Sequence, residues 1–152
     1  MNLYRSVRTV LSVCMLLACS FAFGVLGQDV TSVRTDSARI KAAVAVLPGQ
    51  SYSVHEMIAP TGTTIKEFVS PAGEVFAVSW QGPYTPDLRQ LMGDYFDQYL
   101  RAAQTFRRIA RHVVHIETGD LVFESGGHMR FIVGRAYLRS KLPDGVTADA
   151  IR

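Results

Sequence analysis

Residues 75–103 read VFAVSWQGPYTPDLRQLMGDYFDQYLRAA, and inside them the chain changes its periodicity. Phe76, Val78 and Trp80 alternate with the small Ala77 and Ser79, the period of two expected of a strand. Gln81-Gly82-Pro83-Tyr84 then interrupts the alternation. From Leu88 onward, apolar residues recur at spacings of three and four: Leu88, Leu91, Met92, Tyr95, Phe96, Tyr99, Leu100 and Ala103. That spacing predicts one long amphipathic helix with a single wide apolar stripe. Thr85 is a suitable N-cap, Pro86 suits the first helical position because its missing N–H is not needed there, and Asp87 favours the positive end of the helix dipole. Arg89, Gln90, Gly93, Asp94, Asp97 and Arg101 hold the opposite face, where Asp97 and Arg101 are spaced to pair. The stripe is expected to pack on one face of a sheet.

The flanking sequence supplies that sheet. Upstream, residues 52–58 alternate, with Tyr52, Val54, Glu56 and Ile58 on one side and Ser53, His55 and Met57 on the other. Pro60-Thr61-Gly62 marks a turn, residues 64–70 are rich in β-formers, and Pro71-Ala72-Gly73 marks a second turn before residues 75–80. Three strands joined by short Pro/Gly turns read as an antiparallel meander. Downstream, residues 113–117 and 121–124 are strand candidates, Ser125-Gly126-Gly127 reads as a turn, and residues 128–138 form a β-rich run. Pro143-Asp144-Gly145 turns the chain before its tail. Residues 29–41 could form a weak helix, and residues 42–47 are an apolar run ended by Pro48-Gly49. The expected class is α+β: a three-stranded meander, a long helix, then two to three further strands, with the helix on one face.

The first residues carry an address. Arg5 and Arg8 form a positive region, residues 10–23 are apolar and uncharged, and small Gly24 and Gly27 follow. That order predicts a signal peptide over residues 1–24, cleaved near 24 or 27, and an exported, periplasmic or secreted product. Leu16-Leu17-Ala18-Cys19 is similar to a lipobox, but the apolar run continues past Cys19 where a polar tether is expected, so a lipid anchor there is the less favoured alternative. Removing residues 1–24 from the 152 leaves 128, the size of one domain, taken as residues 25–152. Both cysteines, Cys14 and Cys19, leave with the signal, which excludes disulfides, a cysteine nucleophile and thiolate metal ligands from the remainder. Fourteen basic and thirteen acidic side chains remain, a balance of +1, so the basic pI is a weak argument for nucleic acid. No later segment has the run of about 18 apolar residues that a spanning helix needs.

Several motifs together resemble a known family. They are Leu26-Gly27-Gln28-Asp29, Tyr52-Ser53-Val54-His55-Glu56, Glu67-Phe68-Val69-Ser70-Pro71-Ala72-Gly73, Trp80-Gln81-Gly82-Pro83, Pro86-Asp87-Leu88-Arg89-Gln90-Leu91, Ser125-Gly126-Gly127-His128-Met129-Arg130 and Gly145-Val146-Thr147-Ala148-Asp149. The chain resembles the domain of unknown function 2844 family, small exported bacterial proteins. The resemblance implies export and one shared fold. It implies no activity, cofactor or catalytic residue.

Candidate sites follow from the residues themselves. His55, His112, His115 and His128 could bind a metal only if the fold gathered them, and His112 and His115 point apart on a strand, so no metal is assigned. His55 and Glu56 with Ser53, Ser70 or Ser79 lack the strained Gly-x-Ser-x-Gly elbow of a hydrolase. The bland alternative is a surface pair such as Glu56 with Lys66. Trp80 and Tyr84 flank the Gly-Pro turn and are candidate ligand or partner contacts, although Trp80 also continues the core parity of Phe76 and Val78. Arg107, Arg108 and Arg111 follow the helix and either complement its dipole or meet an anionic envelope surface. No cofactor is implied, and nucleic acid is not an expected partner. The expected function is a non-catalytic envelope accessory module that binds a protein partner or envelope component. The alternatives are a small enzyme using His55, Glu56 and His128, and a carrier of a small apolar ligand between sheet and helix.

Overall fold

A computed structural model describes residues 26–29, 44–49, 51–106 and 113–152. Within them seven strands form one antiparallel sheet: β1 (Val44–Pro48), β2 (Ser53–Ile58), β3 (Thr64–Val69), β4 (Val75–Gly82), β5 (Val113–Thr118), β6 (Leu121–His128) and β7 (Phe131–Leu138). Their order across the sheet is β1-β2-β3-β4-β7-β6-β5. Between β4 and β5 lie α1 (Leu88–Met92), a 3-10 turn (Gly93–Tyr95) and α2 (Phe96–Phe106). The α+β class, the meander and the later strands are as the sequence indicates, with β1 added from the run ended by Pro48-Gly49. The segment read as a weak helix lies almost wholly outside the described residues, as do residues 1–25.

The meander closes through the expected turns. At residues 59–63 the Gly62 N–H donates to the Ala59 carbonyl at 2.8 Å, and at residues 70–74 the Gly73 N–H donates to Ser70 at 2.9 Å. Both glycines have positive φ, which a side chain disfavours. Between β3 and β4 the register passes from Phe68↔Ala77 to Val69↔Val75, leaving Phe76 as an extra residue. This bulge corrects the expected parity. Phe76 joins Phe68, Ala77 and Tyr137 on one face, while Val78 and Trp80 face the other.

The helix differs from the single rod expected. Its N-cap is Asp87, not Thr85, because the Asp87 carboxylate reaches two free backbone N–H groups, those of Arg89 (3.0 Å) and Gln90 (3.1 Å). Gly93, with φ 49° and ψ −121°, ends α1 after five residues, and α2 starts afresh at Phe96. Gln90 is buried rather than on the polar face, and Asp97 lies 3.5 Å from Arg89 rather than pairing with Arg101. The stripe nevertheless packs as expected. Leu88, Tyr95, Phe96, Tyr99, Ala102 and Ala103 cover a core that contains Leu91, Met92, Ile65, Trp80, Ile116 and Phe123.

Among the described residues, the opposite face is covered only in part. After β7 the chain folds back, and Leu142, Val146, Ala148 and Ile151 pack on Phe68, Phe76, Val122 and Tyr137. Asp120 anchors the start of this tail by accepting from the Ser140 N–H (2.7 Å) and hydroxyl (2.6 Å). Residues 26–29 are also built in. Leu26 is buried, its N–H donates to Leu91 at 3.1 Å, and the Gly27 N–H donates to Val75 at 2.8 Å.

The Trp80 indole lies against Gly134, its register partner on β7. A Cβ at that position would sit 2.2 Å from the indole ring. Gly134→Ala is therefore expected to destabilise the fold by about 1–3 kcal/mol. The chain's single tryptophan makes the measurement direct, through urea unfolding followed by Trp80 fluorescence. An unchanged midpoint would refute the contact.

Candidate functional site

Cross-strand registers line up one row of side chains across the sheet. Glu56 pairs with Lys66, Lys66 with Ser79, Ser79 with Arg135, Arg135 with Glu124 and Glu124 with His115. Their neighbours along each strand, among them Ile65, Val78, Trp80, Phe123 and Ile116, belong to the core under the helix. Strand alternation therefore directs the row to the face away from the helix. The tail covers one half of that face. Beside it opens a trough of about 670 Å³, walled by Ile151 and Arg152 and crossed by the row from Lys66 to His115.

Gly126 and Gly127 explain the trough's depth. They are not the turn the sequence suggests. β6 runs through them, with Gly126 opposite Val133 and Gly127 opposite Ile132, and the chain turns at Met129 and Arg130 instead. The backbones pass so closely there that a Cβ on Gly127 would lie 2.2 Å from the Phe131 carbonyl oxygen. Gly127 takes a positive φ of 129°, which a side chain disfavours, and the glycine pair adds no side chain to the floor. The apolar Val113 and Val133, exposed on either side of Gly126, line the trough, and the exposed Phe131 lies next to them toward the hairpin end.

The row is also an ion-pair chain. His115 Nδ1 lies 3.0 Å from Glu124, and His115 Nε2 lies 3.0 Å from Glu117. A ring protonated at both nitrogens donates to both carboxylates, whereas a neutral ring donates to one. Arg139 pairs with Glu117, and Arg135 Nε donates to Glu124. Arg135 Nη1 also donates to the Ala148 carbonyl, fastening the tail to β7. The Arg139 hydrogen bond, then that of His115, holds the Glu117 carboxyl below its ordinary value. Burial would raise that of Glu124, but Arg135 and His115 outweigh it and the net shift is downward. Burial raises the Tyr137 phenol, and the Glu124 charge adds to that.

The comparison with known families spans these residues. A family described as protein of unknown function (DUF2844) matches residues 22–151. The chain belongs to that family. The DUF2844 match takes in every strand of the sheet and the tail as far as Ile151, and so nearly all of the trough's lining. No curated protein and no solved structure matches the chain.

In this DUF2844 domain the sequence-derived candidates fall in separate places. Trp80 is buried against Phe123, with ring centroids 5.6 Å apart, and contributes to the trough lining. Its indole N–H meets no acceptor among the described residues. Tyr84 is exposed and lines a different, smaller cavity of about 230 Å³ beside α1, where its carbonyl accepts from the Thr63 hydroxyl at 2.8 Å. Arg107, Arg108, Arg111 and His112 lie outside the described residues.

The histidines and serines are likewise dispersed. His55 shares the helix-side parity of Met57, with the Ser53 hydroxyl 3.4 Å from its ring, while Glu56 points to the other face and lies 3.7 Å from Lys66. His128 stacks on Phe131 at the hairpin tip, at a centroid distance of 5.9 Å. Four strand spacings separate β2 from β6, roughly 19 Å, so His55, Glu56 and His128 do not converge. The Ser70 hydroxyl accepts from the Glu74 N–H at 3.3 Å. Among the described residues no cluster of three or more His, Cys, Asp or Glu could hold a metal. His115, Glu124, Arg135 and Lys66, the core of the row, were not legible as a set because register alone unites them.

The row makes stability depend on acid. Glu117 and Glu124 have folded pKa values below the ordinary 4.5, so their contribution is complete above that value and is lost as pH falls through the lowered folded values. Urea midpoints measured downward from neutrality should fall below about pH 4.3. In Glu124→Gln that acid-induced fall should be shallower. An identical slope in the variant would show that the row contributes nothing to acid sensitivity.

Proposed function

We propose that the protein is an exported, non-catalytic accessory module of the envelope that holds a partner or envelope component in the open-face trough. The observation that carries this reading is the trough itself: a recess of about 670 Å³ on a sheet face, continuous with exposed Val113, Val133 and Phe131. Recesses of that size, mostly apolar with a few placed polar groups, are the usual form of small-ligand sites. An apolar ligand carrier fits the same recess, which lies on the far side of the sheet from the helix where that alternative expected it. Trp80 supports the reading as part of the lining. Arg107, Arg108 and Arg111 are proposed as contacts to an anionic envelope component, since they precede Val113 in the chain.

Export rests on the first 24 residues. The packing of Leu26 and Gly27 against Leu91 and Val75 favours cleavage near 24 over 27, because the later cut would remove a buried leucine from the core. Loss of a core leucine side chain costs about 2–5 kcal/mol. Among the described residues no helix is long and apolar enough to cross a membrane.

Two measurements test these statements. N-terminal sequencing of the exported protein should begin at Val25, and a start at Gln28 would overturn the earlier cut. Capture of a specific component from the envelope fraction should be lost with Val133→Trp, which fills the trough, and kept with Asp144→Ala on the exposed tail. Capture unaffected by Val133→Trp would rule out the trough as the binding site.

A further inference from the structure

Resting on the reading of the trough as a binding site, we propose that its occupant is a free single-chain amphiphile with an anionic head. The head sits over Ser79 between Lys66 and Arg135, and the apolar chain runs toward Val133 and Val113. Register places Lys66 and Arg135 one strand to either side of Ser79. Each strand spacing is about 4.8 Å, so two long cationic side chains can converge on one carboxylate or phosphate above the serine.

The charges there favour an anion. Three cationic side chains, Lys66, Arg135 and Arg152, line the trough against one side-chain carboxylate, that of Glu124. Glu124 is already held by Arg135 and His115. Among the described residues Lys66 pairs with Glu56 alone, at 3.7 Å. Arg135 spends Nε on Glu124 and Nη1 on tail carbonyls, which leaves Nη2 without a partner among the described residues. The fork therefore keeps donors for a ligand.

The next row toward the hairpin changes character. Gln81 pairs with Val133, Val133 with Gly126 and Gly126 with Val113. Two exposed valines flank a position without a side chain, which makes an apolar slot about 7 Å along the strands from the head position. Head and slot together demand a molecule that is anionic at one end and apolar along its body.

Two other occupants fit less well. A peptide strand adds to a sheet edge, yet β3, β4, β7 and β6 are each paired on both sides and offer no free ladder, and the edge strand β5 lies at the far end of the trough from Lys66 and Ser79. A bilayer presents a broad surface. It would meet the protruding Met129, 91% exposed, and not Ser79, which is 4% exposed at the bottom of the recess.

Titration calorimetry of the purified protein tests the assignment, with dodecanoate and dodecyl phosphate below their micelle concentrations as probes. Dodecyl maltoside, dodecyltrimethylammonium and inorganic phosphate serve as comparisons, and anionic vesicles stand for a membrane source. The expected result is one saturable site for each anionic probe, at least about tenfold tighter than for the neutral or cationic amphiphile. Lys66→Gln with Arg152→Gln should remove about tenfold of that affinity while thermal unfolding stays unchanged. Val133→Trp should abolish binding of every amphiphile.

Equal binding of the neutral amphiphile, lost in Val133→Trp, would overturn the anionic head and leave the trough reading standing. Binding to vesicles alone would overturn the free amphiphile. Absence of amphiphile binding, with envelope capture still dependent on Val133, would overturn this inference and keep the proposed function. Absence of both would overturn the two together.

Discussion

Burial of β4 on both faces is the constraint on which the rest of the structure depends. Every residue from 75 to 80 is buried. A central strand so placed needs two covers, and the chain supplies them from different sources. The amphipathic helix segments cover the side of Val78 and Trp80. The tail covers the side of Phe76 and Ala77. The bulge at Phe76 is what divides the residues this way. Without it Phe76 would face the helix, and the Tyr52–Phe68–Phe76 cluster, with centroids 5.8–6.2 Å apart, would lose its third ring. Each such side chain contributes about 1.5–3 kcal/mol by leaving water, so the two apolar clusters hold the fold.

The charged row works differently. Its charged members are partly exposed, and exposed ion pairs contribute little net stability. Their role is positional. Arg135 joins the Glu124–His115 pair to the tail carbonyls, so one guanidinium links β6 to the wall of the trough. Residues 142–151 cover the part of the face around Phe68, Phe76 and Tyr137, and Gly126 and Gly127 beside it add nothing to the floor. A recess remains where the sheet would otherwise be flat. Cover on one half and glycine on the other produce the site from opposite causes.

Much of this was legible in the residues. The helix stripe, the first two turns and the strand character of residues 52–80 are local, because periodicities of two and of three to four are set by neighbours in sequence. Glu56 with Lys66 is a cross-strand pair that a short turn makes nearly inevitable. The misreadings share a cause. Gly126-Gly127 has turn composition, but tight approach to Phe131 and Ile132 uses the same property inside a ladder. Thr85 has cap composition, but Asp87 reaches the free N–H groups. Gly93 counted only as one polar-face position, and its backbone freedom broke the helix. In each case the residue type was read correctly and its use was chosen by a partner elsewhere.

The sequence by itself determined the class of the fold, the apolar stripe and the alternation that gives the sheet two usable faces. It also supplied the family, through motifs spread over the chain. Only the tertiary structure decided which strands lie side by side. β4 meets β7 across 50 to 60 residues, and that pairing alone sets Ser79 beside Arg135 and Trp80 over Gly134. Periodicity records which face a residue takes. Register between strands distant in sequence depends on packing both faces at once, and no local pattern encodes it.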